Sequence, residues 1–228
     1  MKKKDFWTNY WLTNKIVNNE NIHAKVGRTI KGVPIEENLW ERTLIDLEQT
    51  IDLNTDDLVL DIAAGSGAIS LPFSKKVRSI TANDISEKLL ENLKGHVNIQ
   101  TLVCDARDLD FQENSFSKII IYFAIQHFDE MESLELMKKS FRWLKPNGIL
   151  YIGDIPDVSK KFVFFNNKER EQAYFNSILE NEPIIGHWFD KDFFLKAGDF
   201  LGYRKTTLIN QPQVYINSHY RFDVKLEK

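Results

Sequence analysis

Three features of the sequence predict an α/β fold, with a mostly parallel sheet and helices on both faces. Strand-length apolar runs alternate with helical patterns across residues 57–153. The first run, Leu58–Ile62, is apolar except for Asp61, as expected of a strand buried on both faces. A turn of small residues, 63–67, follows it directly. Ligands of such sheets sit outside the carboxyl ends of the strands, so this turn marks where chemistry is sought.

The elements follow in chain order. Met1-Lys2-Lys3-Lys4 is a short basic start, and Phe6, Trp7, Tyr10 and Trp11 among polar residues suit a short amphipathic helix. Residues 27–34, with Gly27, Gly32 and Pro34, are a predicted loop. Residues 36–48 place Leu39, Trp40, Leu44 and Leu47 at helical spacing. After the first strand come a helix at 68–74 and a second strand at 78–82. Ser86 is a predicted cap for a helix reaching about residue 94. A third strand covers 99–104 and a fourth, almost wholly apolar, 118–123. Asp129 caps a helix that runs through Trp143, and Lys145-Pro146-Asn147-Gly148 is a turn before a fifth strand at 149–152. Lys168–Glu180 reads as helical, and Asp190 caps a shorter helix through residue 196. Residues 202–209 and 218–226 are two late strands, an antiparallel pair that completes the sheet.

These elements predict one domain over 1–228: an N-terminal helical lid at 1–50, a ligand-binding core at 57–153, a cap at 154–200 and closing strands at 201–228. The chain is long enough to bury a substantial core, and its apolar share of 43% is that of an ordinary globular protein. A net charge of −3 argues against a nucleic-acid partner bound through a broad basic surface. No apolar run follows the basic start and none approaches bilayer length, so neither a signal peptide nor a membrane partner is expected. Cys104, the single cysteine, excludes an intramolecular disulfide and a cysteine-based zinc cluster. The expected setting is cytoplasmic. Oligomeric state is not legible in the sequence.

The strand ends carry the chemistry. Gly65, Ser66 and Gly67 let backbone approach a ligand closely, and Asp61 supplies a carboxylate that binds the ligand or orders the turn. The turn is not G-x-G-x-x-G, because residue 70 is Ser, and no G-K-[ST] follows for a triphosphate. The second strand ends at Asn83-Asp84-Ile85-Ser86. One ionised carboxylate accepts both hydroxyls of a ribose, which suits Asp84; capping the next helix is the other reading, and Ser86 is the better placed cap. Asp105, after the third strand, either accepts from an exocyclic amine or is a solvated loop acid.

Together these ends resemble the class I S-adenosylmethionine-dependent methyltransferase family. Asp61 to Gly67 matches its D-x-x-x-G-x-G motif, Asp84 its acidic second strand end, and Cys104-Asp105-Ala106 the pattern after its third strand. Tyr122-Phe123-Ala124-Ile125-Gln126-His127 is similar to the segment after its fourth strand. Leu144 to Gly148 resembles its L-[KR]-P-G-G turn, with Asn147 in place of the first Gly. The resemblance covers 57–153. It implies a Rossmann-like seven-stranded sheet with an antiparallel last strand, an N-terminal helical segment and a helical insertion after strand five. It implies S-adenosyl-L-methionine as cofactor, with Asp61, Ala63, Gly65 and Gly67 at the methionine part and Asp84 on the ribose. Ile85, Asp105 and Ala106 would flank the adenine, and Tyr122 would lie beside the methionine.

The remaining site expectations concern the acceptor and the lid. His127, just after the fourth strand, is the candidate general base for an oxygen or nitrogen nucleophile; packing under the next helix is the alternative. Tyr10 and Trp11 are candidates for an aromatic lid over the sulfonium, against a plain core role. Arg28 is a candidate fork for the methionine carboxylate or an anionic acceptor, against a surface salt bridge. The expected partner is a small polar acceptor methylated on O or N, such as a surface-glycan precursor or another metabolite, and no metal is expected. A nicotinamide-dependent oxidoreductase on a similar sheet, and a non-catalytic cofactor-binding protein, are the rival readings.

Overall fold

The computed structural model describes residues 3–30 and 32–228; Met1 and Lys2 of the basic start, and Lys31 of the predicted loop, lie outside them. The chain begins with helix α1 (Lys3–Thr13). Two single-turn helices, Lys15–Asn18 and Ala24–Val26, lead into a short hairpin, β1 (Thr29–Ile30) and β2 (Val33–Pro34). The loop predicted at 27–34 is therefore a two-stranded ribbon. Helix α2 (Glu37–Thr50) follows, burying Trp40, Thr43 and Leu47.

The alternating core then unfolds as expected: β3 (Leu58–Ile62), α3 (Ser70–Ser74), β4 (Ser79–Asp84), α4 (Glu87–Leu90), β5 (Ile99–Val103), β6 (Phe116–Tyr122), α5 (Glu130–Trp143) and β7 (Leu144–Pro156). Next come α6 (Lys161–Phe164), α7 (Lys168–Glu180), α8 (Lys191–Leu201), β8 (Lys205–Asn210) and β9 (Arg221–Glu227). Seven of these strands form one sheet in the order β5-β4-β3-β6-β7-β9-β8. β3 to β7 are parallel, and β9 runs antiparallel to both β7 and β8. The single reversed strand is the last in the chain, as predicted.

The sheet is buried on both sides because its strands alternate two apolar faces. Ile119, Ile121, Leu150 and Ile152 face the cluster that contains Leu136, Met137 and Trp143 of α5 and Phe194 of α8. Ile120, Ile149 and Tyr151 face the opposite cluster, with Trp40 and Leu47 of α2 and Phe73 of α3.

Some boundaries differ from expectation for local reasons. The helix expected over 86–94 is one α-turn followed by a 3-10 turn at Glu91–Leu93. Ser86 stands at its N-cap but makes no side-chain capping bond. Asp129 does cap α5, in a reciprocal box with Glu132. The turn predicted at 145–148 is a bulge inside β7: Phe116 pairs with Leu144, whereas Lys118 pairs with Ile149. Asn147 takes φ 63° there, a left-handed value that Asn tolerates better than most residues.

Candidate active site

The carboxyl ends of β3, β4, β5 and β6 surround a cavity of about 910 Å³, its mouth included. The turn after β3 forms its floor. Ala63 (φ 55°) and Gly65 (φ 56°) are left-handed there, which brings their backbone against the cavity. A side chain at Gly65 would strike Val26 at 2.8 Å, so only glycine fits between the turn and the N-terminal segment. Gly67 is different. It does not line the cavity, and a Cβ there would run into Leu93, so this glycine serves packing beneath the turn.

Two buried carboxylates stand side by side. The Ser70 hydroxyl donates to Asp61 Oδ2 at 2.6 Å. Asp84 accepts the Gly65 N–H at 2.9 Å and the Ser86 N–H at 2.9 Å. Asp84 therefore ties the β3 turn to the start of α4 while facing the cavity, and the cap and ligand readings are both compatible with its position. Burial raises the Asp61 pKa to about 7, and the neighbouring Asp84 charge adds to this. Burial likewise raises Asp84 to about 6 against its backbone hydrogen bonds.

Past β4, Ile85 and Leu89 face Ala106 across an apolar slot. Asp105 lies beside this slot, with its carboxylate already engaged. It receives Arg107 Nη2 at 2.6 Å and Nε at 2.8 Å. Arg107 also donates to Glu132 at 3.1 Å and to Thr8 of α1 at 3.1 Å. Asp105 is thus held by its neighbour two residues on rather than solvated, and its carboxylate has acceptor sites beyond these bonds.

Arg28 lines the other end of the cavity. Its guanidinium lies 4.1 Å from the Trp40 ring centroid and 3.3 Å from Nδ1 of His23. Among the described residues no carboxylate comes within 4 Å of it, which rejects the surface salt bridge. Burial lowers its pKa, opposed by the more distant charges of Asp154 and Asp61. A buried cation without an ion-pair partner is costly and calls for an anion.

His127 lies under the lid, with its ring 4.2 Å from Trp7 and 5.6 Å from Trp11. Its Nδ1 is buried and has no partner. Burial, reinforced by the Arg221 charge, lowers its pKa to about 3. The ring is therefore unprotonated near neutrality, and the base and packing readings are both compatible with its position. Trp11 lines the cavity with Trp7 and Thr8, but Tyr10 does not. Trp7 and Trp11 share a helix face, and Tyr10 packs edge-on against Trp7 at 5.5 Å and Trp11 at 5.1 Å without lining the cavity. Of the cavity residues that sequence reasoning missed, Trp7 and Val26 come from segments without a strand-end motif, and Arg107 directly follows the one after β5. Only the i, i+4 spacing of Trp7 and Trp11 signals one of them.

Among the described residues no cluster of His, Cys, Asp or Glu has metal-binding geometry, and no helix is long and apolar enough to cross a membrane.

Comparison with known proteins agrees with this geometry. The profile of a family described as a methyltransferase domain matches residues 59–148. A ubiquinone/menaquinone biosynthesis C-methyltransferase of Rickettsia prowazekii is 30% identical over 64% of this chain and 62% of its own length. The corresponding Rickettsia akari protein is 26% identical over 78% of the chain and 70% of its own length. The chain thus spans about three fifths of the first of these relatives. In fold, a Haemonchus contortus phosphoethanolamine N-methyltransferase, solved with phosphoethanolamine and S-adenosylhomocysteine, superposes with TM-score 0.73 at 16% identity. It matches 99% of this chain and 48% of its own. A magnesium protoporphyrin IX methyltransferase from Synechocystis, solved with S-adenosylhomocysteine, gives TM-score 0.67 at 14% identity over the whole of both chains. Residues 59–148 thus match a methyltransferase-domain family, and the seven-stranded sheet with its turn after β3 has the fold of methyltransferases solved with S-adenosylhomocysteine.

Proposed function

We propose that the cavity binds S-adenosylmethionine and that the protein transfers its methyl group to an oxygen or nitrogen of a small polar acceptor. One observation carries the cofactor assignment: the cavity has a buried cation without a carboxylate partner, Arg28, and a pair of buried carboxylates, Asp61 and Asp84, with an apolar slot beyond them. That order of charges complements a ligand with a carboxylate, a sulfonium, vicinal hydroxyls and a purine.

Arg28 receives the methionine carboxylate as a fork. Asp84 accepts the ribose hydroxyls, and Ile85 and Ala106 enclose the adenine. The ionised Asp61 and Asp84 favour the donor's positive charge. The bound donor supplies a methyl group already activated on sulfur. The protein's remaining task is to align the acceptor and exclude water. The N-terminal lid suits that role, since Trp7 and Trp11 close over His127. His127 acts as an uncharged hydrogen-bonding group beside the acceptor. The acceptor is a small molecule such as a precursor of a surface glycan, and a free Cys104 suits a reducing setting such as the cytoplasm.

The curated relatives are C-methyltransferases, which supports carbon as a second acceptor atom. Calorimetry with S-adenosylmethionine, S-adenosylhomocysteine and NAD tests the cofactor assignment. One-site binding of the first two is expected; selective binding of NAD would overturn it. Mass analysis of the product formed from labelled cofactor then distinguishes O, N and C attachment.

A further inference from the structure

We propose that the cap carries a second small-molecule site, outside the cofactor cavity, and that this site binds an aromatic carboxylate. It is the cavity between α1, α6, α7 and the segment 183–188, about 890 Å³ with its mouth included. It has room for many water molecules, so it is not a packing gap. Its lining shares no residue with the cofactor cavity, and the proposal does not depend on the assignment made there.

The local sequence builds its walls. Asn167 caps α7, its side chain accepting the Arg170 N–H at 2.9 Å. The helix places Tyr174 and Ile178 on one face, and the small Ser177 beside them leaves the space open. Phe165, Trp188 and Tyr220 form an aromatic cluster apart from the two main ones. The Phe165 ring centroid stands 4.6 Å from that of Tyr174 and 5.9 Å from that of Trp188. Gly186 closes the back: a side chain there would strike the Gln126 carbonyl, and its φ of 115° suits glycine. His187 donates its N–H to the same carbonyl at 2.7 Å, which fixes this wall against the segment after β6.

The polar groups select the ligand. Lys161 donates to the Tyr174 hydroxyl at 3.4 Å and has no ion-pair partner among the described residues. The Tyr174 hydroxyl itself donates to none of them. The indole N–H of Trp188, a residue only 8% exposed, likewise has no acceptor among the described residues. No Asp or Glu among them lines the cavity. An ammonium, a phenol hydroxyl and an indole N–H thus stand among aromatic rings with no acid to answer them. Such a set calls for an anion with acceptor oxygens, and the rings call for a flat apolar body beside it. An aromatic carboxylate supplies both. Lys161 disfavours a cation, and a plain hydrocarbon leaves the donors unanswered. Ile178 and Ile184 are exposed at the mouth and give it an apolar rim, which suits this ligand better than a small inorganic anion.

Naphthoate, its neutral amide naphthamide and the cation naphthylmethylammonium are the probes, titrated by NMR into the full chain. Naphthoate should bind saturably and shift the indole N–H resonance of Trp188, assigned with Trp188→Phe. It should bind about five-fold or more tighter than the amide, as a charge-assisted hydrogen bond exceeds a neutral one. The ammonium compound should show no saturable binding. Lys161→Met should abolish the preference for the carboxylate while keeping the affinity for the amide. Ile178→Trp, a change at an exposed position, should obstruct the mouth and weaken naphthoate at unchanged melting temperature. Saturation with S-adenosylhomocysteine should leave naphthoate affinity unaltered, because the two cavities are separate. Competition between the two would place naphthoate on Arg28 and overturn the proposal. So would an unshifted Trp188 resonance, equal affinity for carboxylate and amide, saturable binding of the cation, a preference that survives Lys161→Met, or full affinity in folded Ile178→Trp.

Discussion

Asp61 and Asp84 share a small buried space, and their electrostatics make the site sensitive to pH. Both carboxyls are raised, to about 7 and about 6, chiefly by burial. Each is neutral at low pH and ionised above its pKa. A donor bearing a sulfonium prefers the ionised forms, so its affinity should rise as pH increases from about 5.5 to 8. Calorimetry across that range checks this, and Asp61→Asn should flatten the part centred near 7. Stability of the unliganded protein has the opposite sign. A carboxyl with a raised folded-state pKa stabilises the fold fully below its unfolded value near 4 and loses that contribution as pH rises through about 7. Asp61→Asn should therefore reduce the fall in Tm between pH 5 and 8. Asp84→Ala should weaken cofactor binding by about ten-fold or more, from loss of charge-assisted hydrogen bonds; unchanged affinity removes it from the ribose. His127 carries the reverse shift, to about 3, so the pH–rate profile should show no limb at the ordinary histidine value near 6.5. The carboxylates are legible in the sequence because each ends a predicted strand. The states of His127 and Asp105 are not. His127 is buried by α1, more than a hundred residues earlier, and Asp105 is claimed by an arginine whose direction only the folded turn sets.

At the scale of elements, α1 closes the site and the β3 turn opens it to backbone. Trp7 is the pivot: it packs on His127 and lies 6% exposed between the cavity and the cap. Trp7→Ala should cost about 3 kcal/mol or more in stability as a core truncation and loosen the cofactor several-fold, read by urea unfolding and calorimetry. A purely structural Trp7 would change the first and spare the second. Asp129→Ala removes the capping box of α5 and should cost about 1 kcal/mol with no effect on cofactor affinity. Strands β3 to β6 are readable because a short apolar run between turn residues is too brief for a buried helix and suits a strand covered on both faces. The aromatic pattern of α1 marks a helix but not its working face. Trp7 and Trp11, four apart on one helix face, line the cavity, and Tyr10 does not. The ribbon at β1 and β2 escapes sequence reading because two-residue strands leave no periodic signal.

Among the described residues a seven-stranded sheet lies between two large apolar clusters, and the site exists because strand ends from 61 to 154 converge on one rim. The N-terminal segment returns across that rim, bringing Arg28, Val26 and Trp7 to residues far along the chain. Sequence order therefore foretells the nucleoside end, which the strands supply locally, better than the methionine and acceptor ends, which depend on this return. The reversed strand β9 plays a similar part by presenting Arg221 and Asp223 to Asp154. A crystal structure of the complex with S-adenosylhomocysteine tests the central claim most directly. It should show the ribose hydroxyls on Asp84, the adenine between Ile85 and Ala106, and the carboxylate on Arg28. A ligand seated outside this cavity, or lying in it with the adenine at Arg28, would contradict the account.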